Sequence, residues 1–549
     1  MTPEDSLDLL ITNAEIYPVS SKQVAYNAIG VKDGKIIALG NEEDLKSAYA
    51  NVVEELDVKG KFLMPGFIEG HGHYSGLGKS VQNLNFLRDT SWQQITAKVE
   101  SKVKDLEPGT WIYGRGWHQE KFTVAPDESV EKYPTHHSIS EIAPDNPVIL
   151  VHASGHSLFA NAKAMELAGI NLETPDPSGG KIIRDRDKNA IGVFEERAMT
   201  AIKNNYQEYL DQMPEEERKA IWKDAIKLAE NDALSKGITS FQDAGSKFYE
   251  LDWFEEMAKG GELDIRLWVM ARHSAEELSG KISDYRMLNV GDGFYTCRAL
   301  KSELDGALGA HGAWLLEEYA DKEGFYGQNT TEVSEVEKIA KIAYDNNMQL
   351  CVHAIGDKAN RKTLDIFEEY KLRDTSQDLR WRVEHAQHLH PDDIPRFKTI
   401  GAIASMQGVH CTSDAPFVET RLGHERSEEG AYAWRSLLDA GAVVVNGTDA
   451  PVEDVDPMAS IYASVTRKRT HPEMEFIPEQ RMTREEALYS YTMAPAFAGF
   501  EENLKGSIDV GKYADFVILD KNLLTCDSEE LLDADILYTI VGGDVKFKK

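Results

Sequence analysis

At 549 residues the chain is too long for one ordinary domain, and a barrel of roughly 250 or more residues with insertions plus a small companion domain accounts for it. Hydrophobic residues at 42% and charged residues at 28% describe a globular protein, and no apolar run reaches the roughly 18 residues needed to span a bilayer. A formal charge of −33 excludes nucleic acid and anionic membranes as expected partners, because phosphate binding calls for clustered Lys and Arg.

The first stretch, MTPEDSLDLLITNAEIYPV, is acidic and lacks the basic start, apolar core and cleavage site of a secretory signal, so a cytoplasmic protein is expected. From about Leu7 to Leu63, LLITNAEIYPV, AIGVKDGKIIALG and ELDVKGKFLMPG alternate short apolar runs with turn signals, as hairpins do. The same texture returns between Gly506 and Lys549 in GSIDVGKYADFVILD and ILYTIVGGDVKFKK. Residues 1–63 and 500–549 are therefore expected to build one small β domain together, around a central region of 64–499. In that region strand-like runs alternate with helical periods, the pattern of a parallel sheet with crossover helices. The runs are FIEGHGH from Phe67, ITSFQDAG from Ile238, DIRLWVMAR from Asp264, YTCRALKSELDG from Tyr295, QLCVHAIGD from Gln349, RWRVEHAQ from Arg380, GAIASMQG from Gly401 and AVVVNGTDAP from Ala442. Eight strands make a barrel. Helices are marked by PEEERKAIWKDAIKLAENDALSKG before the second run, TTEVSEVEKIAKIAYDNN before the fifth, and a Thr483/Glu486 capping box ahead of ALYSYT. Residues from about 74 to 211 far exceed a βα loop and are read as an insertion over the barrel mouth. Cys297, Cys351, Cys411 and Cys526 show no CxxC spacing and read as buried thiols.

His71 and His73, two apart on an extended strand, face one side and can grip one metal ion, although a bare HxH in a Gly-rich turn is more often two ordinary histidines. The company they keep decides between these. His353 ends the fifth strand, His385 the sixth and Asp449 the eighth, all at the C-terminal rim where barrel chemistry occurs. Lys301 ends the fourth strand; it is either a surface lysine or, desolvated, a neutral amine able to take up carbon dioxide as a carbamate that bridges two ions. His152 and His156 in the insertion read on the sequence alone as structural residues, and Trp117, Asp305, His311, His410 and Arg421 are candidates for contact with substrate. Asp243 reads as a residue orienting a ligand. His136, His137, His388, His390, His424 and His471 are assigned to solvent or capping roles.

MPGFIEGHGH, Lys301 followed by DGALG, HAIGD, RVEHAQ and NGTDAP together resemble the amidohydrolase superfamily, and within it the YtcJ-like branch, amidohydrolase family 3. The likeness runs from LLITNAEIYP through GSIDVGKYADFVILD. It implies an α/β protein, a (β/α)₈ TIM barrel with a β-sandwich made from both termini, and one or two divalent ions, zinc by type. By position, His71 and His73 hold one ion, an N6-carboxylated Lys301 bridges to a second held by His353 and His385, and Asp449 ligates the first ion and shuttles a proton. The implied activity is hydrolysis of C–N bonds other than peptide bonds, in amides, N-substituted formamides or cyclic amides, by metal-activated hydroxide. The family's GH motif faces the substrate, and only that likeness makes His152 and His156 candidates for contact with it. His311 stands in DGALGAHGA where the branch commonly carries Arg, which bears on substrate preference. A small-molecule substrate and a homodimer are the expected partners. Esterase, lactonase or phosphoesterase chemistry at the same site, a zinc lyase or isomerase, and a non-catalytic scaffold stand as alternatives.

Overall fold

The computed structural model describes residues 6–20, 26–86, 88–119, 122–152, 157–177, 179–470 and 473–549. They form two compact units, Met1–Gly76 with Glu230–Lys549, and Leu77–Ala229.

In the first unit both termini contribute to a pair of sheets. A four-stranded sheet runs in the order Lys35–Gly40, Ala28–Lys32, Ser6–Thr12, Asn51–Asp57; a five-stranded one runs Glu15–Ile16, Phe62–Pro65, Phe516–Leu519, Ile536–Val541, Asp544–Lys548. Asp33 and Gly34 join the first hairpin with φ of 49° and 71°, the left-handed pair that a two-residue turn of matching twist demands. Strand alternation turns Leu9, Ile11, Ile29 and Val31 of one sheet and Leu63, Phe516, Ile518 and Ile540 of the other into a single core. Phe62–Pro65 runs two residues beyond the position at which the sequence divides the β domain from the barrel.

Eight strands follow: β1 (Phe67–Gly72), β2 (Ile238–Ser246), β3 (Arg266–Ala271), β4 (Tyr295–Glu303), β5 (Gln349–Ala354), β6 (Arg382–His385), β7 (Ile403–Gln407) and β8 (Val443–Gly447). Each pairs in parallel with the next, so all eight expected strands are present in one sheet. The sheet curls into a nearly closed barrel. Between β1 and β8 the seam is tied just past the strand ends, where Asp449 N–H donates to His71 O at 2.7 Å and His73 N–H to Ala450 O at 2.7 Å. Crossover helices bury one stripe each, as in Val333–Asp345 with Val336, Ile339, Ala340 and Ala343 turned inward. Thr483 and Glu486 cap helix Arg484–Ser490 reciprocally, as their spacing requires. The barrel interior departs from the apolar layers common in this fold. Arg382 and Glu384 on β6 have no exposed side-chain surface, and Gln242, Ser405 and Gln349 are buried with them.

The second unit holds a six-stranded sheet in the order Gly180–Arg184, Ala190–Glu196, Ser157–Ala160, Val148–His152, Ile112–Trp117, Leu84–Asn85. Alternation divides it between two cores, one with Trp92, Trp117, Leu150 and Phe159 and one with Trp111, Ile149, Leu158 and Phe194. Among the described residues no helix is long and apolar enough to cross a membrane. Cys297, Cys351 and Cys411 are buried as expected, whereas Cys526 is half-buried beside Arg484.

Candidate metal centre

Five of the eight barrel strands, β1, β4, β5, β6 and β8, deliver a polar residue at or near the point where the apolar run stops, so the donors gather at one rim. The Nε2 atoms of His71 and His73 lie 3.5 and 3.1 Å from Asp449 Oδ1. The His385 ring sits 4.8 Å from that of His71 and 4.4 Å from that of His353. Donor atoms of His71, His385 and Asp449 all fall within 4.8 Å of one another. Lys301, buried on β4 opposite Cys351 of β5, lies within electrostatic reach of His353, His385 and Asp449. The six residues singled out in the sequence are thus brought together.

Two of them take backbone conformations that side chains rarely adopt. His385 has φ 74° and Asp449 φ 58°, each at or just past a strand end. Along β6, alternation sends Arg382 and Glu384 into the barrel, so His385 would otherwise face away; the left-handed turn coincides with its return to the cluster.

Burial sets the charges. It pushes the His353 imidazole down to about 3, with Lys301 adding to the effect, and holds His385 well below the usual range, with His353 contributing. Both rings are therefore neutral and carry a free lone pair. Burial alone would raise Asp449, but His71 and His73 hold its carboxyl well below the usual range. Burial lowers the Lys301 ammonium, against the pull of Glu384 and Asp449. His71 Nε2, His353 Nε2 and Asp449 Oδ1 are shut off from solvent and make no hydrogen bond, which is costly for polar atoms unless something else satisfies them. Neutral imidazoles and a carboxylate facing one another with unsatisfied atoms fit a divalent cation.

Outside the donors stand residues that sequence reasoning missed. Glu384 Oε2 makes a short contact with His71 Nδ1, and Arg382 Nε lies 2.7 Å from Glu384 Oε1. His385 Nδ1 donates to Gln407 Oε1 at 2.8 Å. With Nδ1 thus engaged, each ring presents Nε2 to the cluster. Arg and Glu two apart in RVEH are the one signal available, since a strand buried on both faces has no polar side to receive them.

The candidates for substrate contact are dispersed. His410, at the start of helix Gly408–Leu422, lies nearly parallel to His385 at 6.2 Å with Nε2 buried and unbonded. Asp305 is almost wholly buried and saturated: Oδ1 accepts from Ile355 N–H, and Oδ2 from Gly356 and Trp314 N–H, all within 2.9 Å. It clamps the loop after β5, and burial pushes its carboxyl up to about 7. Trp117 is wholly buried in the second unit and donates to Leu150 O, so a core place replaces the expected contact with substrate. His152 in the same unit bonds Gln119 at 3.0 Å. His311, φ 57°, and Arg421 share Asp321 as partner on a loop. Asp243 accepts from Tyr74 N–H and Ser246 Oγ–H, both at 2.8 Å, and orients the chain leaving β1 rather than a donor ring. His388, assigned to solvent from sequence, is 2% exposed because the loop after β6 folds under and packs it on Tyr432. His390 caps a short turn as expected. His156 and His471 lie outside the described residues.

Buried histidines and an aspartate at the rim of a parallel eight-stranded barrel form a donor set suited to a metal-dependent hydrolase. The chain belongs to the amidohydrolase family, whose model, described as "Amidohydrolase family", matches residues 54–547. It is 30% identical over 98% of its length to Protein LONG AFTER FAR-RED 3 of Arabidopsis thaliana, covering 91% of that protein. It is 29% identical to the putative amidohydrolase YtcJ of Bacillus subtilis, covering 97% of this chain and 98% of the other. With N-substituted formamide deformylase of Arthrobacter pascens it shares 27% identity over 99% of this chain and 98% of that one. The crystal structure of an uncharacterized metal-dependent hydrolase from Pyrococcus furiosus superposes with a TM-score of 0.76 at 25% identity, covering 94% of this chain and all of the other.

Proposed function

We propose that the protein hydrolyses C–N bonds other than peptide bonds in small molecules, with N-substituted formamides, amides and cyclic amides as its substrate class. The observation that carries this reading is the convergence of His71, His73, Lys301, His353, His385 and Asp449 from five barrel strands, with unsatisfied donor atoms at its centre. The printed name of the Arthrobacter relative points to the same class. His71, His73 and Asp449 would hold one divalent ion, zinc by donor type, and His353 and His385 a second, with Lys301 as an N6-carboxylated bridge. Burial disfavours the Lys301 ammonium, and a neutral amine is the form of lysine that takes up carbon dioxide. Such an ion supplies Lewis acidity toward a carbonyl oxygen and lowers the pKa of a water to about 7. Asp449 moves the proton: its carboxylate accepts one from the attacking water and returns it to the leaving nitrogen as the C–N bond breaks, leaving an acid and an amine. His410 faces the same cluster and contacts the substrate.

The test is metal-reconstituted protein assayed against formamides, amides, cyclic amides, lactones and phosphoesters, with acid and amine release as readout. Turnover is expected on the C–N substrates. Asp449→Asn should keep its metal by elemental analysis while kcat falls about 10²–10⁴-fold. Turnover confined to lactones or phosphoesters overturns the substrate class, and none on any carbonyl compound overturns the hydrolase reading.

A further inference from the structure

Arg382 and Glu384 are an extravagant way to fill a barrel. Arg382 reaches across the interior: Nη1 donates to Gln242 Oε1 at 2.6 Å, and Nη2 to Gly70 O at 2.6 Å, Ser405 Oγ at 2.8 Å and Glu384 Oε2 at 3.2 Å. Its guanidinium lies 5.5 Å from the Trp268 ring centre, and Gln242 is held in turn by Pro495 O at 2.8 Å. Four strands, β1, β2, β6 and β7, are tied by this one side chain. Stability alone does not account for it, because a well-packed apolar set of the same volume commonly serves a core as well as a buried ion pair. What an apolar set cannot do is face His71. Glu384 turns one carboxylate oxygen toward Arg382 Nε and the other toward His71 Nδ1.

We propose that Glu384, braced by Arg382, is the positioning residue for His71: it takes the Nδ1–H hydrogen bond, fixes Nε2 as the lone pair facing the cluster, and strengthens that nitrogen as a donor. The inference rests on the metal reading above and adds an asymmetry to it. His385, on the other side of the cluster, has only a neutral acceptor, the Gln407 amide oxygen at 2.8 Å. A hydrogen bond to an ionised acceptor is roughly twice as strong as a neutral one. The His71 end is therefore the tight end of the centre, filled first and emptied last. Arg382 has a second duty, to hold the carboxylate behind His71 by charge, with Nε 2.7 Å from Oε1 and Nη2 donating to Oε2, so that it does not swing forward as a ligand.

The test is zinc affinity by competition with a chelator, together with the visible absorption of the cobalt(II)-loaded protein. Three proteins are compared: wild type, Glu384→Gln, and the double variant Arg382→Met/Glu384→Leu, which replaces the pair with apolar groups of similar length. The tightest zinc site should weaken about 10-fold in Glu384→Gln and about 100-fold in the double variant, the range typical for loss of a partner behind a metal-bound histidine. The cobalt bands should shift in both, and thermal unfolding of the double variant should fall, because Gln242 Oε1, Gly70 O and Ser405 Oγ lose their donor, so its metal affinity is read only where it is folded. A purely packing role would leave affinity and cobalt spectrum unchanged in a folded double variant, and that result overturns the proposal. If the double variant does not fold, Glu384→Gln decides alone, since it keeps the shape and an acceptor oxygen. Wild-type protein that binds neither zinc nor cobalt would instead sink the metal reading itself.

Discussion

His388 stands three residues beyond His385, and its fate differs from that of an exposed histidine for one reason, the loss of water. Burial pushes its imidazole from 6.5 down to about 3, with Arg426 adding to the effect. In the unfolded chain the ring binds a proton near pH 6.5, in the folded protein only near 3, so between these values the unfolded state carries the extra proton. The stability this ring contributes is present in full above pH 6.5 and is lost as pH falls, by about 1.4 kcal/mol per unit. His388→Gln should therefore gain about 2 kcal/mol relative to wild type between pH 8 and pH 5, read from denaturant unfolding at each pH; parallel curves would show that the ring is not kept neutral. The residue scale also marks where the sequence was hard to read. His71, His353, His385 and Asp449 were legible because each interrupts an apolar run at its end. Glu384 was not, because an acid inside a strand reads as solvent-facing by alternation, and only the folded barrel reveals that both faces are covered. Trp117 and His388 show the converse: side chains of functional type that went to packing.

Among the elements, the strands were the most legible part of the chain, since eight short apolar runs alternating with helical periods leave little else to build. Their closure was expected from the count of eight, but the residues that make the β1–β8 seam were not legible, because they have no periodic signature. Gly447 ends β8 where an added Cβ would stand 2.6 Å from His71 N and 2.6 Å from Glu69 Oε1. Backbone cannot retreat as a side-chain tip can. Gly447→Ala is expected to cost about 1–3 kcal/mol by overpacking and to displace His71, so that metal content falls along with the midpoint of thermal unfolding. A variant with wild-type zinc stoichiometry would mean that the seam yields without disturbing the cluster. The helices were legible in proportion to their caps and stripes, as in Thr483/Glu486 and Val333–Asp345, whereas the six-stranded sheet of the second unit was passed over as an insertion because its strands are short and its connections uneven.

For the whole molecule, the decisive tie joins the barrel to the last part of the chain. Arg266 on β3 makes a bidentate pair with Asp515, at 2.7 and 3.1 Å, stacks on Tyr513 at 3.8 Å, and is almost wholly buried. Asp515→Ala leaves that cation uncompensated and should cost about 3–5 kcal/mol in urea unfolding; a loss under about 1 kcal/mol would show that Tyr513 and backbone carbonyls suffice. The shared sheet also has a consequence for how the protein is made. Phe62–Pro65, buried along its whole length, pairs on one side with Glu15–Ile16 and on the other with Phe516–Leu519. That second partner leaves the ribosome 451 residues after Pro65. At roughly 5–20 residues per second, the nascent chain carries an apolar strand with one open edge for about 20 to 90 seconds. The early part of the chain thus carries an edge open to mispairing with neighbouring nascent copies for most of its synthesis, and slower translation is expected to lower the folded yield.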